Sequence, residues 1–135
     1  MAANCKWWHF APSVLVLIGI TVLSLIQVSP APPSKIPMAD KWGHMLAYLV
    51  LAMCMASDGY HAHLPMRRVY IAALIFPIAY GGLLELIQPL FPPRACELGD
   101  LLADSIGTVL GVALYVLFRY CYDRKQTRQQ TENLQ

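Results

Sequence analysis

The chain has 135 residues, of which 57% are hydrophobic and only 13% charged, with a net charge of +2 and a mean hydropathy of +0.47. A soluble domain carries about a quarter charged residues. The composition therefore excludes an ordinary water-soluble domain and implies solvation by lipid.

Four apolar stretches follow in chain order, to be compared with the roughly 20 residues that cross a bilayer. The first runs over about residues 10–28 and stops in Ser29-Pro30-Ala31-Pro32-Pro33, a helix-ending sequence. Lys6 before the run gives it the outline of a signal peptide. The run is long for such a segment, Trp7 and Trp8 suit an interfacial belt, and paired prolines suit cleavage poorly, so it is expected to be retained. The second stretch, about residues 41–57, is the shortest and lies near the lower limit for a span. The third covers about residues 69–90 and ends at Pro89 and Pro92-Pro93; the fourth covers about residues 101–120, leaving residues 121–135 as a tail. The expected fold is all-α, a polytopic membrane four-helix bundle forming one domain over residues 1–135.

Lys and Arg in short loops set orientation. Lys6, Arg67, Arg68, Arg119, Arg124, Lys125 and Arg128 fall on one side, and Lys35, Lys41 and Arg94 on the other. Both termini are expected to be cytoplasmic. The basic tail then anchors the last helix and meets anionic lipid, and no nucleic-acid partner is expected.

Two polar clusters interrupt the apolar pattern. One is Asp40-Lys41-x-x-His44-x-x-x-Tyr48; the other is Glu85-x-x-Gln88-Pro89 followed by Arg94, Glu97, Asp100 and Asp104. An ionisable group costs roughly 2.5 to 3.5 kcal/mol at the centre of a membrane helix and less near its ends, so both clusters need an explanation. Along helices rising about 1.5 Å per residue, His44 lies about 6 Å inside Asp40, Asp104 about 6 Å past Asp100, and Glu85 about 7 Å short of Leu90. The i, i+3 and i, i+4 spacings place each set on one helix face. Three helices are thus expected to aim polar groups at one extracytoplasmic pocket.

Asp40, Lys41, His44 and Tyr48 entering one membrane helix, then Glu85, Gln88, Pro92 or Pro93, Arg94, Asp100, Asp104, Gly107 and Gly111 on the next two, resemble the VanZ-like family of small integral membrane proteins. The resemblance covers roughly residues 37–118. It implies a location in the bacterial cytoplasmic membrane and a class, because the family's namesake is associated with reduced sensitivity to teicoplanin, which acts outside that membrane. The family usually has Asn where this chain has Asp104, which adds a carboxylate to an already acidic site.

Plainer explanations apply to several of these residues. Asp40 and Lys41 also fit a helix cap and a snorkelling side chain, His44 fits a satisfied core histidine, Arg94 fits a counter-charge to Glu97 or Asp100, and Asp100 fits a cap. Gly107 and Gly111 form a small-xxx-small packing pair. Glu85 and Asp104 resist such readings, because each lies at least one turn inside a helix. Histidine beside carboxylates is a permissible divalent-metal set, but no His-x-x-x-His or Cys-x-x-Cys spacing points to a metal centre, and neither a metal nor another cofactor is expected. Cys5, Cys54 and Cys121 fall toward the inner side and Cys96 on the outer, which gives no disulfide framework.

Two functions from different classes remain. The first is binding or modification of an envelope component at the outer pocket, with a lipid-linked or peptidoglycan-related headgroup as ligand and membrane lipid as the other partner. Here Lys41 and Arg94 would meet phosphate, His44 and Glu85 are the candidates for proton transfer, and Asp40, Tyr48, Gln88, Asp100 and Asp104 would bind or position groups. The second is a non-enzymatic membrane factor or a small transporter or ion-handling subunit.

Overall fold

The computed structural model describes residues 7–25, 38–91 and 97–132. A short 3-10 turn, Trp7–Phe10, leads into α1 (Ala11–Leu25). It is followed by α2 (Ala39–His61), α3 (Met66–Ile87), a second 3-10 turn over Gln88–Leu90, and α4 (Leu98–Glu132). The expected all-helical class and four helices are found, with no strand among the described residues.

Boundaries differ at α2 and α4. The 23 residues of α2 give about 34 Å at 1.5 Å per residue, enough to span the roughly 30 Å hydrocarbon layer, whereas the apolar run alone had made it the shortest segment. The extra length comes from polar residues at both ends, Asp40 and Lys41 before the run and Asp58 after it. These dilute its hydropathy, and the other three helices are the ones long and apolar enough to cross a membrane by length and composition alone. At the other extreme, α4 continues as a helix through most of the expected tail to Glu132. Its last turns carry an i, i+4 ion pair, Arg119 to Asp123 at 3.0 Å, of the kind that supports solvated helices.

The helix that is polar at its ends is the one that touches all the others. α2 packs against α1, α3 and α4, so buried Asp58 and half-buried Lys41 and His44 find partners on neighbouring helices, while Trp42 and Leu46 stay exposed. α1 and α3 run antiparallel to it: Ser13 of α1 meets Asp58 near the α2 C-terminus, and Gly59 and Tyr48 of α2 meet Val69 and Gly81 of α3 in that reversed order. α4 runs parallel to α2, with Lys41 beside Asp100 at one end and Tyr60 beneath Arg119 at the other, 4.0 Å from guanidinium to ring centre.

Small residues set the α2–α4 spacing. A β-carbon built on Gly107 would lie 2.1 Å from the Met45 carbonyl oxygen, and one on Gly111 would lie 2.4 Å from that of Leu49. The glycine pair is therefore where two backbones touch, as the small-xxx-small spacing implies. Below this contact the buried core continues through Ala52, Ala73 and Val112 to Ala56, Val69 and Tyr115. Leucine, isoleucine and phenylalanine side chains such as Leu15, Ile75, Leu86, Leu117 and Phe118 stay exposed, forming the outer surface expected of a bundle whose solvent is hydrocarbon.

Candidate functional site

Because α2 and α4 start at the same end of the bundle, their first turns bring four of the predicted residues into direct contact. Lys41 Nζ donates to Asp100 Oδ1 at 2.8 Å and to Glu97 Oε2 at 2.9 Å. One turn deeper, His44 Nδ1 lies 3.1 Å from Asp104 Oδ1, and His44 Nε2 lies 3.9 Å from Asp100 Oδ2. The rungs fall at i and i+3 on α2 and at i and i+4 on α4, the spacings that keep both sets on facing sides. Asp104 is 1% exposed and Asp100 5%. Such carboxylates need partners, and His44 and Lys41 supply them.

Gly81 of α3 explains how Asp104 fits so deep. A β-carbon there would come within 2.7 Å of Asp104 Oδ2 and 3.3 Å of the Tyr48 hydroxyl, so the missing side chain makes room for both. Tyr48 is almost fully buried and packs with Ile20, Leu51 and Leu84, closing the floor under His44. Sequence reasoning did not single out Gly81; its position four residues before Glu85, on the same helix face, was the available signal.

Glu85 is buried on α3 but is held differently. Its Oε2 accepts the backbone N–H of Glu97 at 2.9 Å, the residue immediately before α4. A carboxylate at a helix N-terminus satisfies an orphan donor and complements the helix dipole. Gln88, one turn on, is 2% exposed. Asp40 is exposed at the rim, and Arg94 lies outside the described residues.

The residues expected to face one pocket divide between two clefts. One, of about 250 Å³, lies between α1 and α2 and is lined by Asp40, His44 and Tyr48 together with Ile20, Leu23 and Ala47. The other, of about 470 Å³, lies between α3 and α4 and is lined by Glu85 and Glu97 with Leu83, Leu86, Leu98 and Leu101. The Asp100–Asp104 turn of α4 stands between the two sets. Each cleft joins a polar end to an apolar wall, the shape that accepts an amphiphile with its head at the surface and its chain alongside the bundle.

A fourth buried carboxylate was not anticipated. Asp58, 3% exposed, accepts both the backbone N–H of Ser13, at 3.0 Å, and the Ser13 hydroxyl. It does for the N-terminus of α1 what Glu85 does for that of α4, at the opposite end of the bundle. A lone Asp beyond the apolar run looks like a loop residue in sequence, and only the longer α2 reveals its place.

The VanZ/LLP1 family model matches residues 6–119. The chain belongs to the VanZ/LLP1 family. No curated protein and no solved structure matched it. Membership accounts for the order of the motifs along the chain: the Asp40-Lys41-x-x-His44 turn, the Glu85 turn and the Asp100 to Gly111 face all lie within the matched span. This VanZ/LLP1 protein is a membrane protein with three helices apolar enough to span and a fourth that packs against all three.

Proposed function

We propose that this VanZ-like protein binds or modifies a cell-envelope component, a lipid-linked or peptidoglycan-related headgroup, at the polar end of the bundle. This end faces outward from the bacterial cytoplasmic membrane, and both termini lie in the cytoplasm. One observation carries the reading: His44, oriented by buried Asp104, lines a cleft that joins polar groups, Asp40 among them, to an apolar wall of Ile20, Leu23 and Ala47. With Nδ1 engaged by a carboxylate, the imidazole has Nε2 left for the cleft, where it takes a proton from the headgroup when no cation is bound there. The apolar walls receive the lipid chain. Lys41 has two of its three N–H groups on Glu97 and Asp100 and one left for a phosphate oxygen, and Arg94 is the second cation assigned to that headgroup. A link to glycopeptide resistance is part of the same proposal, supported by the family's association with it.

The test is headgroup binding by the purified protein in nanodiscs, using a phosphate-bearing isoprenoid lipid, beside teicoplanin susceptibility of cells carrying the protein. His44→Ala should weaken lipid binding at least tenfold and remove any effect on susceptibility at unchanged protein level. Equal binding by His44→Ala and the parent chain would sink the proposal. The ion-handling alternative draws on the buried carboxylates Glu85 and Asp104; it predicts proton or cation flux in sealed vesicles that Asp104→Ala abolishes.

A further inference from the structure

The two ring nitrogens of His44 have unequal surroundings. Nδ1 is tied to Asp104 at 3.1 Å, whereas Nε2 and Asp100 Oδ2 face each other at 3.9 Å, too far for a hydrogen bond. The Asp104 contact occupies Nδ1 and leaves Nε2 turned toward Asp100 Oδ2. An imidazole nitrogen and a carboxylate oxygen at this separation can both be ligands of one cation.

A third donor completes the set. Asp40 precedes His44 by one turn on α2, and one ligand atom from each of Asp40, His44 and Asp100 lies within 4.8 Å of the others. We propose that these three residues bind a divalent first-row metal cation of the Mn²⁺ or Zn²⁺ type. An imidazole with two carboxylates is a donor set for such ions. Ligands about 2.1 Å from a metal stand roughly 3 to 3.5 Å apart, so capture needs only a small closing movement. Asp40, exposed at the rim of the α1–α2 cleft, is the side chain placed to make it.

The surroundings are those of a supported metal site. Asp104 orients the ligating histidine through its other nitrogen, as carboxylates behind metal-bound histidines do. Lys41 takes Oδ1 of Asp100 and leaves Oδ2 for the ion. The open cleft gives a hydrated ion its entry path and leaves coordination positions for water. Linear spacing hides this set, since it draws one residue from α4 and two from α2. Cation binding stands on these residues alone; a bridging role between the acidic site and an anionic headgroup rests on the function proposed above.

Mn²⁺ titration of chelator-stripped, full-length protein in detergent, followed by the electron paramagnetic resonance signal of the free aquo ion and by Zn²⁺ competition, tests the site. One ion per chain is expected. Asp40→Asn and His44→Ala should each weaken binding at least tenfold; Asp40, being exposed, tests the site even where His44→Ala fails to fold. Asp104→Ala should cost about 10- to 100-fold, while Asp104→Asn, whose Oδ1 still accepts from Nδ1, stays within a few-fold. Glu97→Gln should bind as the parent does. Absence of saturable binding, or equal binding by parent and Asp40→Asn, overturns the proposal. Lipid binding measured in chelator separates the two ideas: lipid binding without metal binding overturns the ion alone, and metal binding without lipid binding overturns the headgroup alone.

Discussion

Gly107 meets the carbonyl of Met45 so closely that even one added carbon would lie 2.1 Å from the oxygen. This contact sets the separation of α2 and α4, and hence whether Lys41 and His44 reach Asp100 and Asp104. Because the obstacle is backbone, no rotamer change relieves it. Gly107→Ala should cost about 3 kcal/mol or more, the upper end of ordinary overpacking. Thermal unfolding in detergent measures this, with Gly19→Ala, where nothing lies within 4 Å, as the neutral comparison.

Glu85→Gln separates charge from hydrogen bonding. Glutamine keeps an oxygen for the Glu97 N–H, so the start of α4 should remain capped and the protein folded. If the negative charge serves function, envelope phenotype or ligand binding falls while stability stays near that of the parent. Glu97→Gln, at the exposed end of the Lys41 pair, should change either readout far less, since exposed ion pairs contribute about 0 to 1 kcal/mol. A stabilised, fully active Glu85→Gln protein would show that the residue serves only packing.

Asp58→Ala should destabilise the chain by about 1 to 2 kcal/mol, the usual cost of a lost helix cap, by freeing the N-terminus of α1. Asp58→Asn should restore most of the loss. Because the change lies at the end of the bundle away from His44, metal and lipid binding by the folded fraction should match the parent. Paired unfolding and binding measurements check both halves of this statement.

Orientation is open to chemical labelling. Single cysteines near Arg67 or after Arg124 should be shielded from an impermeant reagent in intact cells, and Cys96 should be reachable. Labelling in the opposite sense would reverse the outward-facing site. The mass of the membrane-extracted protein should include Met1; a start after Ala31 would remove α1 and with it one wall of the His44 cleft.

Much of the fold was legible because lipid solvation leaves long apolar runs, and α1, α3 and the start of α4 follow them closely. The ends of α2 were less legible: hydropathy falls where Asp40, Lys41 and Asp58 enter, yet the helix persists, with partners for Lys41 and Asp58 on neighbouring helices. Within the site, helix periodicity placed His44 and Asp104 at matching depth, and they meet. Periodicity gives no direction across the bundle. The separation of the Glu85 cleft from the His44 cleft, and the room that Gly81 makes for Asp104 and Tyr48, therefore came only with the structure.

The pairing of α2 with α4 has a consequence for biogenesis. Lys41 and His44 are made early, but their partners Asp100 and Asp104 belong to α4, which is made after α2 and α3. Until α4 arrives, the membrane holds a half-finished ladder whose unmatched rungs mark the chain as incomplete. A message truncated before Leu98 should yield a nascent protein that membrane quality-control proteases recognise and clear, while a chain that includes α4 conceals that mark as soon as this helix docks.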